Sequence, residues 1–251
     1  MPPRPPPSLA DSIAAAHAWW REAGVDFAYN DEPTGWLADE SPAEAPTPVH
    51  AAPAVAPREP ERPPVGGDRT GWPQDLAAFG AWWLAEPSLD AGGTHPRVAP
   101  RVAPGAELLM LVPMPEEGDS DALLTGPQGR LLASFTLAAG LAPEAVAVAA
   151  ALPRHTPLPD WDALEAQGHG EVLRHLLALA APKRAMVFGH RILPLLRHDT
   201  TQGPPAVSEL SIQGRALPLL ATLAPEHLLL NARQRAGLWQ RWLEWTDSVC
   251  D

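Results

Sequence analysis

The chain is 251 residues long and carries 18 Lys and Arg against 30 Asp and Glu, a net charge of −12. Such an acidic chain is not an obvious nucleic-acid binder, because that affinity rests on neutralising phosphates with Lys and Arg. Its single cysteine, Cys250, excludes an intramolecular disulfide and any Cys-ligated iron–sulfur or zinc-ribbon site within one chain, so neither metal nor cofactor is expected. No apolar run approaches the roughly 20 residues of a membrane span. The N-terminal Met1-to-Ser12 stretch lacks the apolar core of a signal peptide, which makes a cytoplasmic protein the expectation.

Residues 1–40 form an N-terminal segment with one predicted helix, Leu9 to Ala23. Ser8 and Asp11 resemble a capping box at its start, and Gly24 stops it. Ile13, Ala16, Trp19, Trp20 and Ala23 give this helix one apolar face. Residues 41–69 are expected to be a disordered proline-rich linker: eight of the chain's 32 prolines fall between Ser41 and Pro64. Proline removes the N–H that a helix or ladder needs. Residues 70–94 contain a second short predicted helix, Gln74 to Ala85, bounded by Pro73 and Pro87. Both helices contain Ala-Trp-Trp, at Ala18 to Trp20 and Ala81 to Trp83. Such pairs either pack against the body of the same protein or, for a tethered helix bearing Trp19 and Trp20, dock on a protein partner.

Residues 95–251 read as one α/β domain. Four apolar runs predict strands at Glu107 to Val112, Ala145 to Ala150, Arg184 to Phe188 and Leu217 to Thr222, with starts 38, 39 and 33 residues apart. That interval fits strand–helix–strand units, and continuous apolar strands imply a parallel four-stranded sheet flanked by helices. Helices are predicted at Gln128 to Ala139, Trp161 to Ala180, His190 to Arg197 and Ala232 to Asp247. Ligands of such sheets sit at the carboxyl ends of the strands, so the loops after Val112 and Thr222 are the first places to look. Charge is also less adverse here. Residues 1–94 have a net charge of −9 and residues 95–251 only −3, and 12 of the latter's 13 basic residues are Arg, which suits phosphate contacts.

The segment from Glu107 to Trp245 resembles the uracil-DNA glycosylase superfamily, nearest its family 4 type. Four pieces carry the likeness, in the family's order. They are Leu109 to Glu116; Leu123 to Leu132; Pro182 to Gly189 running on to Leu195 and Leu196; and Ala221 to Asn231 continuing to Arg235 and Trp239. The resemblance implies a protein of DNA base-excision repair that hydrolyses the base–deoxyribose bond of a flipped-out nucleotide. It also implies a pocket at Pro113, Pro115, Leu124, Ala150, Ala224 and Pro225, and phosphate or DNA contacts at Gly126, Gly129, Arg130 and Arg235. Gly126 and Gly129 open a helix whose N–H groups could hold a phosphate, or they serve only a tight turn.

The family's reacting groups are missing from these positions. Its water-positioning Glu falls on Pro113, its stacking Phe on Leu124, its base-reading Asn on Ala150 and its His on Ala224. Its glycines beside that Glu fall on Val112 and Glu116, and its four cluster-binding cysteines are absent. Relocated substitutes are conceivable in Glu116 (or Glu117 and Asp119) for water and in His227 or His155 as a donor. Each can also be read as an exposed loop charge or a surface histidine. Three readings follow: a divergent glycosylase with weak or lost catalysis, a non-catalytic DNA-binding relative, and an interaction protein that recruits a repair or replication partner through its Trp helices.

Overall fold

A computed structural model describes residues 8–24, 64–197 and 207–249. The chain divides into two units, residues 1–59 and 60–251. Most of the proline-rich linker, and Cys250, lie outside the described residues.

In the first unit a single helix, α1 (Leu9–Glu22), is described. Its capping box is formed: Ser8 Oγ accepts from Asp11 N, and Asp11 Oδ2 accepts from Ser8 N, each at 3.2 Å. No side chain of α1 is buried, and Trp19 and Trp20 are 61% and 51% exposed. Their rings meet edge to face, 4.9 Å between centroids.

The second unit is built on β1 (Leu108–Val112), β2 (Val146–Ala150), β3 (Ala185–Phe188), β4 (Val207–Ile212) and β5 (Arg215–Thr222), in the spatial order β2-β1-β3-β5-β4. Four strands are parallel, as expected. The sheet is nevertheless mixed and five-stranded, because β4 pairs antiparallel with β5. A two-residue turn, Gln213 and Gly214, joins them with both φ values positive (48° and 81°), the geometry favoured in tight hairpins.

Alternate residues of each strand face opposite sides, which gives two cores. Leu109, Leu111, Val187 and Leu219 pack with α2 (Leu76–Ala85) and α5 (His169–Ala180) through Phe79, Trp83, Leu173 and Leu177. Leu108, Met110, Phe188 and Leu220 pack with α3 (Pro127–Ala138), α6 (Pro225–Leu230) and α7 (Ala232–Val249) through Leu132, Leu228, Leu238 and Trp242. Both faces are therefore covered by helices.

Three elements differ from the sequence expectation. The helix expected over 161–180 is broken into α4 (Trp161–Ala166) and α5 by Gly168, whose φ of +85° no helix continues through. The helix expected over 190–197 becomes two 3-10 turns, His190–Ile192 and Pro194–Leu196, because Pro194 has no N–H to extend the first turn. Residues 64–94 are part of the α/β body. Val65, Trp72, Phe79, Trp83 and Leu89 are all buried in the first core. Burying a side chain such as Phe79 contributes roughly 1.5–3 kcal/mol. Asp90 completes the attachment. Its Oδ2 accepts from Arg97 Nε and Arg154 Nε, both at 2.9 Å. Burial works against the Asp90 charge, but the two arginines and Gly92 N hold its carboxyl below the usual range.

Candidate functional site

The carboxyl ends of β1, β3 and β5 converge on Gly189. A Cβ on Gly189 would stand 3.2 Å from Pro113 Cγ and 3.5 Å from Ala224 Cβ. Two positions nominated from sequence for chemistry, 113 and 224, thus meet across a glycine. What meets there is a pyrrolidine ring and a methyl group. Ala150, the position nominated for reading a base, is fully buried at the end of β2, as is Pro225 at the start of α6. The β1–β2 ladder continues past the strands, with Ala151 N donating to Val112 O at 2.8 Å and Leu152 N to Pro113 O at 3.0 Å. Ala150, Ala224 and Pro225 are buried here, while Pro113 and Gly189 stay half-buried.

The loop from β1 to α3 is held by two carboxylates. Asp119 Oδ2 accepts from Glu116 N and Leu124 N (2.8 and 2.7 Å). Its Oδ1 accepts from Thr125 N and Thr125 Oγ1 (2.9 and 2.6 Å). Burial opposes the Asp119 charge, but the bonds from Thr125, Leu124 and Glu116 outweigh it and hold its carboxyl below the ordinary range. Glu116 is buried and caps α3. Its Oε1 accepts from Gly126 N and Gly129 N (3.0 and 2.9 Å), and its Oε2 from Gln128 N (3.0 Å). Pro127 has no N–H, and Arg130 N donates to Gly126 O at 3.1 Å. The helix N-terminus has no N–H left for a phosphate, because an internal carboxylate already occupies the anion position.

Gly126 and Gly129 are explained by the same packing. A Cβ on Gly126 would lie 2.5 Å from Glu116 Oε2, and one on Gly129 only 1.7 Å from the carbonyl oxygen of Leu124. Leu124 itself is half-buried at φ +62°, a left-handed conformation costly for a leucine. Pro115 is buried, and its carbonyl lies 3.0 Å from His155 Nδ1, so His155 clasps this loop to the one after β2.

His227 is placed differently. It lies on α6 with its side chain 63% exposed, 4.0 Å from Glu226 Oε1. Arg235 Nη1 donates to the carbonyls of Leu228 and Leu229 at 2.7 and 3.0 Å, closing the end of α6, whereas Arg130 is exposed. Glu116 is thus committed to capping α3 while His227 faces solvent.

Three further polar residues stand out in the structure. His190 directly follows Gly189 and has its pKa lowered, by burial first and then by Arg241. Thr222, at the end of β5, buries an Oγ1 with no hydrogen-bond partner among the described residues. His169 is fully buried with Nε2 2.6 Å from Ala151 O, and burial lowers its pKa. A histidine directly after the strand-terminal Gly189 was the one legible signal.

Cavities lie elsewhere among the described residues, and three of them are well defined. Two, of about 290 and 580 Å³, adjoin at Arg69, Trp72 and Glu171. Arg69, Arg174 and Arg197 all pair with Glu171 there. The third, about 190 Å³, lies between α3 and the β1–β2 edge. No group of three His, Cys, Asp or Glu side chains among the described residues could hold a metal ion. A lone cysteine cannot supply the four thiolates of an iron–sulfur cluster, so the residues present do not fit one. No helix among the described residues is long and apolar enough to cross a membrane.

No protein-family model matches the chain, and no curated protein matches it.

Proposed function

We propose that this chain is a uracil-DNA glycosylase-like protein that has given up base excision and serves DNA repair in the cytoplasm as a non-catalytic relative. The carrying observation is the junction of Pro113, Gly189 and Ala224. Pro113 Cγ and Ala224 Cβ both lie within 3.5 Å of where a Gly189 Cβ would stand, and both side chains present only carbon. Loss of one transition-state donor typically costs on the order of 10²–10³ in rate. At this junction the resemblance accounts for a carboxylate and a histidine lost together, with Leu124 and Ala150 removing the stacking ring and the base-reading amide. The nearest substitute carboxylate, Glu116, is spent on the α3 N-terminus.

Of the non-catalytic roles, recruitment of a protein partner fits better than DNA binding. The anion position at α3 is filled from within, and Arg235 is spent on helix-end carbonyls. By contrast α1 presents two large exposed rings, and exposed aromatics are frequent anchors of interfaces. The test compares fluorescence anisotropy of labelled single-stranded DNA carrying uracil or thymine with co-purification of repair proteins. The recruitment role expects no preference for uracil, and a repair partner that is lost when Trp19 and Trp20 become Ala. A strong uracil preference would overturn it.

A further inference from the structure

The 190 Å³ cavity has a composition that selects a ligand. Its floor is Met110, Val146 and Val148 of β1 and β2, and its roof is Leu132, Ala133 and Thr136 of α3. The one hydroxyl in this set makes no demand on the cavity, since Thr136 Oγ1 donates to Leu132 O at 2.9 Å. At the mouth stands Arg101, the only charged side chain of the lining. Arg101 and Val148 exchange both backbone hydrogen bonds, each 2.8 Å, as an isolated antiparallel bridge. Directly opposed residues of such a pair project to the same face, so the guanidinium is carried on the face to which Val148 turns, towards α3.

Arg101 also differs from the other arginines that hold this unit together. Arg97 and Arg154 are bound to Asp90, Arg174 to Glu171 and Arg235 to helix-end carbonyls. The Arg101 side chain is exposed and makes no hydrogen bond or ion pair with any described residue. An apolar slot with one unpaired, permanently charged fork at its mouth is complementary to an apolar body ending in a carboxylate. Size narrows the class. An apolar cavity of about 150 Å³ suffices for benzene, so about 190 Å³ admits a six-carbon chain or a single ring.

We propose that the slot between α3 and the β1–β2 edge binds a small apolar monocarboxylate, with Arg101 pairing the carboxylate and the Met110–Val148–Leu132 walls holding the hydrocarbon. The site lies along the flank of the sheet, apart from the junction at Gly189, and does not depend on the loss of excision.

The test is calorimetric titration of the full chain with hexanoate and benzoate, using 1-hexanol as the uncharged counterpart of the first. The expected result is saturable one-to-one binding of the carboxylates, with hexanol at least about tenfold weaker, the factor of one charge-assisted hydrogen-bond pair. Arg101→Gln should weaken hexanoate by about the same factor and leave hexanol unchanged. Ala133 is exposed on α3, so Ala133→Trp should plug the slot and abolish binding of all three compounds while the circular dichroism stays native. No saturable carboxylate binding at millimolar concentration would overturn the proposal. So would binding indifferent to both substitutions, which would mark it as non-specific, or hexanol binding as tightly as hexanoate.

Discussion

The loop after β1 and helix α6 after β5 carry the two residues that sequence nominates most directly for chemistry, and they have opposite fates. In the first, Glu116 and Asp119 are buried and accept seven hydrogen bonds between them, six from backbone N–H groups and one from Thr125 Oγ1. In the second, His227 is exposed and beyond ordinary hydrogen-bond reach of Glu226. One carboxylate is too committed to act on a substrate, and the histidine is too free to be positioned. A catalytic group needs a held geometry together with an unsatisfied valence directed at substrate, and neither region supplies both. The same comparison accounts for Gly126 and Gly129: they are required by Glu116 and by the Leu124 carbonyl.

This contrast can be broken by substitution, and the largest effect is expected at Gly129. Gly129→Ala places a methyl 1.7 Å from a backbone oxygen that has no rotamer to escape through. A loss of about 3 kcal/mol or more should appear in urea unfolding, the upper end for overpacking. Asp119→Ala leaves three backbone donors of a buried loop without an acceptor and should cost about 2–3 kcal/mol. Its pH signature sharpens the assignment. The folded-state pKa of Asp119 lies below the usual 3.8. Its contribution is therefore full above the unfolded value and disappears as pH falls through the lower folded one. Acid unfolding of Asp119→Ala should lack that component, so the difference from wild type should shrink below pH 3.8.

Glu116→Gln keeps one carbonyl oxygen facing the α3 N–H groups but loses the charge that favours a helix N-terminus. A smaller loss, about 1–2 kcal/mol in thermal unfolding, is expected. His227→Ala sits at the end of the scale, with a change within about 0.5 kcal/mol, as for surface substitutions that break no buried contact. A His227→Ala loss as large as that of Glu116→Gln would erase the distinction between the two regions.

Much of the fold is legible in the sequence because apolar runs of four to six residues, spaced by helix-length intervals, have few other solutions. The four parallel strands, α1 with its capping box, α3 and α7 could all be placed this way. The antiparallel strand β4 was missed because Val207 to Ile212 alternates burial at a sheet edge and lacks the continuous apolar signal of its neighbours. Gln213-Gly214 was its one turn marker. The break at Gly168 was hidden inside an otherwise continuous helical pattern. The tie of residues 64–94 to the body was obscured by the prolines preceding them, although Trp72, Phe79 and Trp83 are the large side chains that bind them in.

For the site, sequence places Pro113 and Ala224 at strand ends, and the structure brings those ends together at Gly189. It could not reveal that Glu116 reaches across ten residues to the start of α3, since that contact depends on the loop conformation fixed by Asp119 and by Leu124 at φ +62°. His190 escaped notice because no reacting group of the resemblance falls on it.

The junction of β1, β3 and β5, built from Pro113, Gly189 and Ala224, is expected to perform no base excision. Single-turnover assay with excess protein and a labelled oligonucleotide bearing one uracil tests it directly, abasic sites being revealed by alkali. No product is expected over hours from protein shown to be folded. Cleavage that disappears in His190→Ala or His227→Ala would contradict it and locate a rebuilt active site at the carboxyl end of the sheet.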